Sequence, residues 1–335
     1  MRPSLRAPCR SRAVGDPLRC ALVAAIALLA SALGCASNAR DPSAGVPDAA
    51  SRWQAEFDRA TRLHRQRRFD AAADAYARAL TAARAFERGD ARTAQTHAQR
   101  AELQLSLGEY VAAERDYRAA IGELRAARGA DGAALADALN SLAVFCIDLE
   151  RISEAEALLV EAIEIRSRLY GADHAYVAVL LQNLGDAERR AANFTAAEPL
   201  LRRALAIHAR SGREFAREAA IAQNNLALLL AATGREHDAE IGHFDAIRLA
   251  SRLDGHSSTD VGVFARDLAA LYTRQGRFAE ADSLYRDSIA IFRSELGEAS
   301  HQLAKSYRAY GSMLRAAGRG AEAIEYERRA DATGF

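Results

Sequence analysis

The sequence predicts an all-α fold, an α-solenoid of about seven helix–turn–helix repeats, preceded by an N-terminal targeting segment. Three observations carry that expectation. Half of the 335 residues are apolar, yet only 7% are aromatic and six are proline, so the core is built from Ala and Leu, both strong helix formers. Small residues recur in one register through seven units of about 42 residues. Between them stand bulky apolar residues on faces that a single helical hairpin cannot bury, so neighbouring hairpins must stack.

The N-terminal segment comes first. Residues 1–19 carry Arg2, Arg6, Arg10, Arg12 and Arg19 against Asp16, and Cys20 to Leu33 then runs without a charge. A basic region, a short apolar region and a small-residue exit form a secretory signal. Fourteen residues rise only ~21 Å as a helix, short of a ~30 Å hydrocarbon core. The exit Ser31-Ala32-Leu33-Gly34-Cys35 resembles a bacterial lipobox. The resemblance implies cleavage after Gly34 and lipidation of Cys35, and Ala36 in place of Asp implies sorting to the outer membrane. Ordinary cleaved export and an uncleaved anchor are the alternatives. Cleavage takes five arginines and Asp16 from a chain of net charge +1 and leaves −3. Such a chain has no global electrostatic footprint for nucleic acid. Residues 35–50, with Pro42, Gly45 and Pro47, read as a flexible tether.

The repeats follow over 51–335. Phe69, Tyr110, Ile152, Phe194, Glu236, Phe278 and Gly320 set the register. Three residues after each stands alanine in all seven units: Ala72, Ala113, Ala155, Ala197, Ala239, Ala281 and Ala323. Ten after each stand Ala79, Ala120, Ala162, Ala204, Ala246, Ser288 and Ala330, and nine before each Ala60, Ala101, Ala143, Gly185, Ala227, Ala269 and Gly311. Small side chains let two helices of a hairpin approach to ~8 Å. The units run approximately 52–89, 90–130, 131–172, 173–214, 215–256, 257–298 and 299–335. Arg59 and Arg100, where later units have Leu, predict a looser N-terminal end; Glu236 and His243 predict a weaker fifth unit. Glu327 and Asp331 give the last unit the polar outer face of a terminal cap.

The small–large–small alternation resembles the tetratricopeptide repeat, lengthened from 34 residues to 42. ALNSLAVF at 138–145, LLQNLGDA at 180–187, AQNNLALL at 222–229 and EAEALLVEAIEIRSRLYGADHAYV at 154–177 are similar to kinesin-light-chain repeats. The resemblance implies a right-handed superhelix with the first helix of each unit lining a concave groove.

Catalytic patterns are missing from the sequence. It holds no phosphate-cradling glycine loop, no G-x-S-x-G, no H-E-x-x-H and no pair of C-x-x-C motifs, and no cofactor or metal is expected. Cys146 sits on an apolar helical stripe and reads as a structural thiol. Twelve residues before each anchor stand Phe57, Ala98, Asn140, Gln182, Asn224, Arg266 and Arg308. The resemblance makes this the groove-facing place. Three amides followed by two guanidiniums form a ladder that can bond an extended peptide backbone. Arg189, Arg190, Arg274 and Arg315 lie farther along the same helices, and the Arg set suits an acidic residue or a free C-terminal carboxylate. The expected function is a non-catalytic, membrane-anchored module binding a protein or peptide in the bacterial cell envelope. A peptide-sensing regulatory solenoid is the second expectation, and an enzyme with a site built across repeats the third.

Overall fold

The computed structural model describes residues 48–127, 132–298 and 300–334. Cys35 and the leader lie outside the described residues. The described residues form fourteen α-helices: α1 (Ala49–Arg65), α2 (Phe69–Ala83), α3 (Ala91–Ser106), α4 (Tyr110–Ala126), α5 (Ala133–Asp148), α6 (Ile152–Tyr170), α7 (Ala175–Arg190), α8 (Phe194–His208), α9 (Ala216–Ala232), α10 (Glu236–Asp254), α11 (Thr259–Arg274), α12 (Phe278–Leu296), α13 (His301–Ala316) and α14 (Gly320–Ala332). Each register residue opens an even-numbered helix. The first helix starts within the stretch expected to be tether, because the Asp48 carboxylate accepts the Ser51 amide hydrogen (2.6 Å) and caps it.

The three small positions explain the hairpins. All seven alanines at the third place are fully buried, as are Ala60, Ala101, Ala143, Ala227 and Ala269 on the facing helices. A β-carbon on Gly185 would meet Leu201 Cγ at 2.7 Å, so the two helices touch where no larger residue fits. Each hairpin turns in the same way. The second residue after the first helix takes a positive φ, at Arg67, Gly108, Glu150, Ala192, Gly234, Gly276 and Gly318. The next amide reaches back to an orphan carbonyl, as in Arg151 N–H to Cys146 O (2.8 Å) and Arg277 N–H to Tyr272 O (2.9 Å).

Successive odd-numbered helices pack on one another as well as on their own partners, whereas even-numbered helices pack mainly on odd-numbered ones. The odd helices are therefore the inner layer of the curve. Arg67, in the first turn, donates to the Leu296 carbonyl oxygen at the end of α12, so the curve brings the first unit back beside the sixth.

The expectation of a looser N-terminal end needs correction. The N-terminal unit is held by an aromatic cluster in which Trp53 stacks on Phe57 (5.1 Å) and Phe57 meets Tyr76 edge-on (6.1 Å). Arg100 is held by Asp116, whose carboxylate it grips through Nε and Nη2 at 2.6 Å each. In the fifth unit, His243 is fully buried.

Candidate binding surface on the inner helix layer

The inner layer carries a strip of polar residues bonded from one unit to the next. Asn183 Nδ2 donates to Asn140 Oδ1 (2.7 Å), and Asn224 Nδ2 donates to Asp267 Oδ2 (2.8 Å). Trp53 Nε1 donates to Thr96 Oγ1 (2.8 Å), and Arg217 Nε to Asp260 Oδ2 (2.6 Å). Each pair is separated by 43 residues. A residue on one inner helix thus meets the next place along, not its equivalent, on the following inner helix.

That offset changes the amide column. Asn140, Gln182 and Asn224 are buried, and the first and third spend their amide groups on neighbouring inner helices. Asn140 and Asn224 join the units, Gln182 is buried beside them, and the three do not stand as an open ladder. The physical reason is the close spacing of the inner helices, which leaves a mid-helix amide within reach of the next helix. Asn224 Oδ1 also accepts from His243 Nδ1 (2.8 Å), so a chain runs from His243 through Asn224 to Asp267. Burial pushes the His243 imidazole down to about 4, so it is neutral at pH 7.

The arginines divide. Arg266 Nη1 donates to Gln302 Oε1 (2.8 Å) and its guanidinium lies over the Phe292 ring (5.8 Å). Arg189 and Arg190 both grip Asp186, at 2.6 and 2.9 Å. Burial raises the Asp186 carboxyl, but the two guanidiniums outweigh it and hold it below the usual range. Arg315 pairs with Glu327 on α14 (2.5 Å) and not with the inner layer. Arg274 and Arg308 are exposed. The C-terminal half of the layer is therefore charge-paired and not uniformly basic. Its partly exposed edge offers Asp186, Arg189, Arg190, Asp267, Arg274 and Arg308: acceptors as well as donors.

The sequence reading did not find the outer-layer pairs that close the seams. Arg151 reaches back to Glu114 (2.8 Å), Arg235 to Glu198 (2.7 Å), Arg277 to Glu240 (3.0 Å) and Arg319 to Asp282 (2.6 Å). In every case the arginine precedes a register residue and the acid lies 37 residues upstream. An arginine–acid spacing of 37, sought beside the 42-residue unit, is the signal that finds them.

Chemistry is sparse elsewhere. Cys146 is buried, and burial pushes its thiol up to about 11, so no thiolate forms at neutral pH. Among the described residues, no three His, Cys, Asp or Glu side chains stand together as a metal set, and no helix is long and apolar enough to cross a membrane.

Residues 134–210, 218–294 and 260–330 match the family model of the tetratricopeptide repeat. The solved structure of apo RapI is similar at 15% identity, covering 84% of this chain and 97% of that one, with a TM-score of 0.63. A Rap protein complexed with Competence and Sporulation Factor is similar at 17% identity, covering 83% and 77%, with a TM-score of 0.53. A putative kinesin light chain with nearly identical TPR-like repeats from Podosopora anserina shows 21% identity over 58% of this chain and 93% of that one, with a TM-score of 0.44. No curated protein matches the sequence.

Proposed function

Because the chain belongs to the tetratricopeptide repeat family, we propose that it is a non-catalytic module that binds an extended peptide or a protein segment along its inner helix layer. The observation that carries this reading is the polar strip of that layer, with Asp186, Arg189, Arg190 and Asp267 offering acceptors and donors side by side. A peptide backbone presents both kinds of group at every residue, and a strip of mixed polarity answers both. The Rap protein solved with Competence and Sporulation Factor gives a precedent for such a ligand on a similar fold.

The proposal extends to the whole chain. Residues 1–34 are an export signal, Cys35 is the lipidated residue, 36–47 tether it, and seven units of about 42 residues hold the solenoid at the outer membrane of a bacterium, facing the periplasm. Cys35→Ser tests the anchor: the protein should leave the membrane fraction and lose label from radioactive palmitate. Label retained in that variant overturns the anchor alone.

Crosslinked capture from membranes tests the surface, with the unaltered protein beside Arg190→Ala/Arg274→Ala/Arg308→Ala. Circular dichroism checks that the variant keeps the fold. A specific envelope protein captured by the first and lost by the second supports the reading. The same partner captured by both overturns it. A regulatory role, in which peptide binding tightens the curve, is supported by the approach of the first and sixth units through Arg67 and Leu296. Small-angle scattering should then show a smaller radius of gyration with partner bound.

A further inference from the structure

Helix α8 is shorter than α6, α10 and α12, its equivalents in the third, fifth and sixth units. The even-numbered helices α6, α10 and α12 each run 19 residues, whereas α8 stops after 15, at His208. Its last turn is replaced by Ala209 to Gly212 and a 3-10 turn at Arg213–Phe215. The missing turn leaves α10 without a neighbour over one stretch. A cleft of ≈ 370 Å³ opens there, lined by Leu205, Ala209, Ala216, Ala219 and Leu249 and rimmed by Gln223, Asp245, Arg248 and Arg252.

His208 also lines this cleft, and its state is unusual. The ring is 1% exposed, yet neither Nδ1 nor Nε2 has a hydrogen-bond partner. Phe215 of the 3-10 turn stacks on it (6.2 Å between centroids) and holds its plane. Burial pushes the imidazole down to about 4, so at neutral pH it carries one N–H donor and one bare acceptor nitrogen. A buried polar group left unmatched costs folding free energy, and a ligand that matches it recovers the loss.

The rim sets the sign of the missing partner. Arg248 is held by Asp245 (2.6 Å), while Arg252 is exposed and makes no ion pair among the described residues. Among the lining side chains two guanidiniums stand against one carboxylate, Asp245, with the Glu214 carboxylate beside Gly212 at the edge. The volume falls in the range of small-molecule sites, and such sites combine an apolar floor with a few polar groups that fix orientation.

From the cavity, the unmatched imidazole and the unpaired guanidinium, we propose that this cleft is a binding site for an apolar carboxylic acid. The carboxylate accepts hydrogen bonds from Arg252 and the His208 N–H, and the apolar stem lies on Leu205 and Leu249. The acid is a free monocarboxylate or the last residue of a peptide. The site is separate from the inner-layer strip, so its failure leaves the proposed function standing and the reverse holds too.

Titration of the full chain with octanoate, with Ala-Ala-Ala-Leu and with Ala-Ala-Ala-Leu amide tests this. Calorimetry reads affinity, and the ring resonances of His208 read location. Binding of octanoate that shifts the His208 resonances supports the site with a free acid as ligand. Binding of the peptide acid but not its amide supports it with a chain end. Arg252→Gln should weaken binding about tenfold or more, the worth of one charge-assisted hydrogen bond. Ala219→Trp, which fills the cleft, should abolish it, with circular dichroism reporting an intact fold. Equal binding of acid and amide, an unaltered affinity in Arg252→Gln, or no shift at His208 with any probe overturns the proposal.

Discussion

Arg277 and Glu240 join two outer helices through paired hydrogen bonds of 3.0 and 3.2 Å, and the same guanidinium lies 3.7 Å from the centre of the Tyr272 ring. Tyr272 donates its own hydroxyl to Glu240 (2.6 Å), so one carboxylate of the fifth unit receives two groups from the sixth. The arginine–acid pair stands at four seams, this one included, and is missing where Glu109 and Asn193 stand in place of arginine. At the Asn193 seam Glu156 has no such cation; burial raises its carboxyl and Glu188 adds to the shift.

Asn193→Arg should therefore supply the missing pair. The expected gain is small, about 1–2 °C in Tm, because the groups are near the surface. It should vanish in high salt. Differential scanning calorimetry at two ionic strengths checks both statements, and a Tm lowered at low salt would show that the seam has no room for the guanidinium.

Asp116 gives a second test. It is 1% exposed, and His97 Nδ1 and Arg100 both donate to it. Burial alone would raise its carboxyl, but these donors hold it down to about 2, from an ordinary 3.8. The stabilisation is complete above pH 3.8 and is lost as pH falls through 2. Asp116→Asn should cost about 2–3 kcal/mol at pH 7 and flatten that acid limb. Urea titrations between pH 7 and pH 2 read both effects.

Gly185→Ala opposes two effects. Alanine improves helix propensity by about 1 kcal/mol, but its β-carbon would sit 2.7 Å from Leu201 Cγ. Overpacking of this kind costs about 1–3 kcal/mol, so the variant should be less stable on balance. The cost should shrink in a Leu201→Ala background. A double-mutant cycle by denaturant unfolding shows whether the two sites couple.

His208→Leu should stabilise the protein. The imidazole is buried with both nitrogens unmatched, and an apolar side chain of similar size removes that cost, about 1–3 kcal/mol. Its ionisation lies near 4, against an ordinary 6.5, so the native state binds its proton less readily than the unfolded chain. Stability is complete above pH 6.5 and falls as pH drops toward 4. The variant should lose part of that slope, with His243 supplying the rest. Thermal unfolding at pH 7 and pH 5 measures it.

The hairpins were legible because steric exclusion is strict: at the third place only alanine occurs, and every one of those alanines is fully buried. The surface was less legible because its bonds do not respect the repeat. A 42-residue register compares Asn140 with Gln182, but Asn140 bonds Asn183; it compares Arg277 with Arg235, but Arg277 bonds Glu240. Curvature sets these offsets, and curvature is a property of the stack, not of one unit. The cleft at His208 was hidden for another reason. The fourth unit keeps its full length, and the residues taken from the end of α8 reappear as the Arg213–Phe215 turn.

The spacing of the arginine pairs gives the molecule uneven mechanical compliance. From α8 to α14 three consecutive seams are riveted on their outer side, at Glu198, Glu240 and Asp282, so that stretch bends as one stiff block. The seams between α2 and α4, with Glu109, and between α6 and α8, with Asn193, have no such rivet and form softer joints. Force applied along the axis should open the coil at these joints before the block, and added salt, by loosening the rivets, should bring the stiffness of the block down toward theirs.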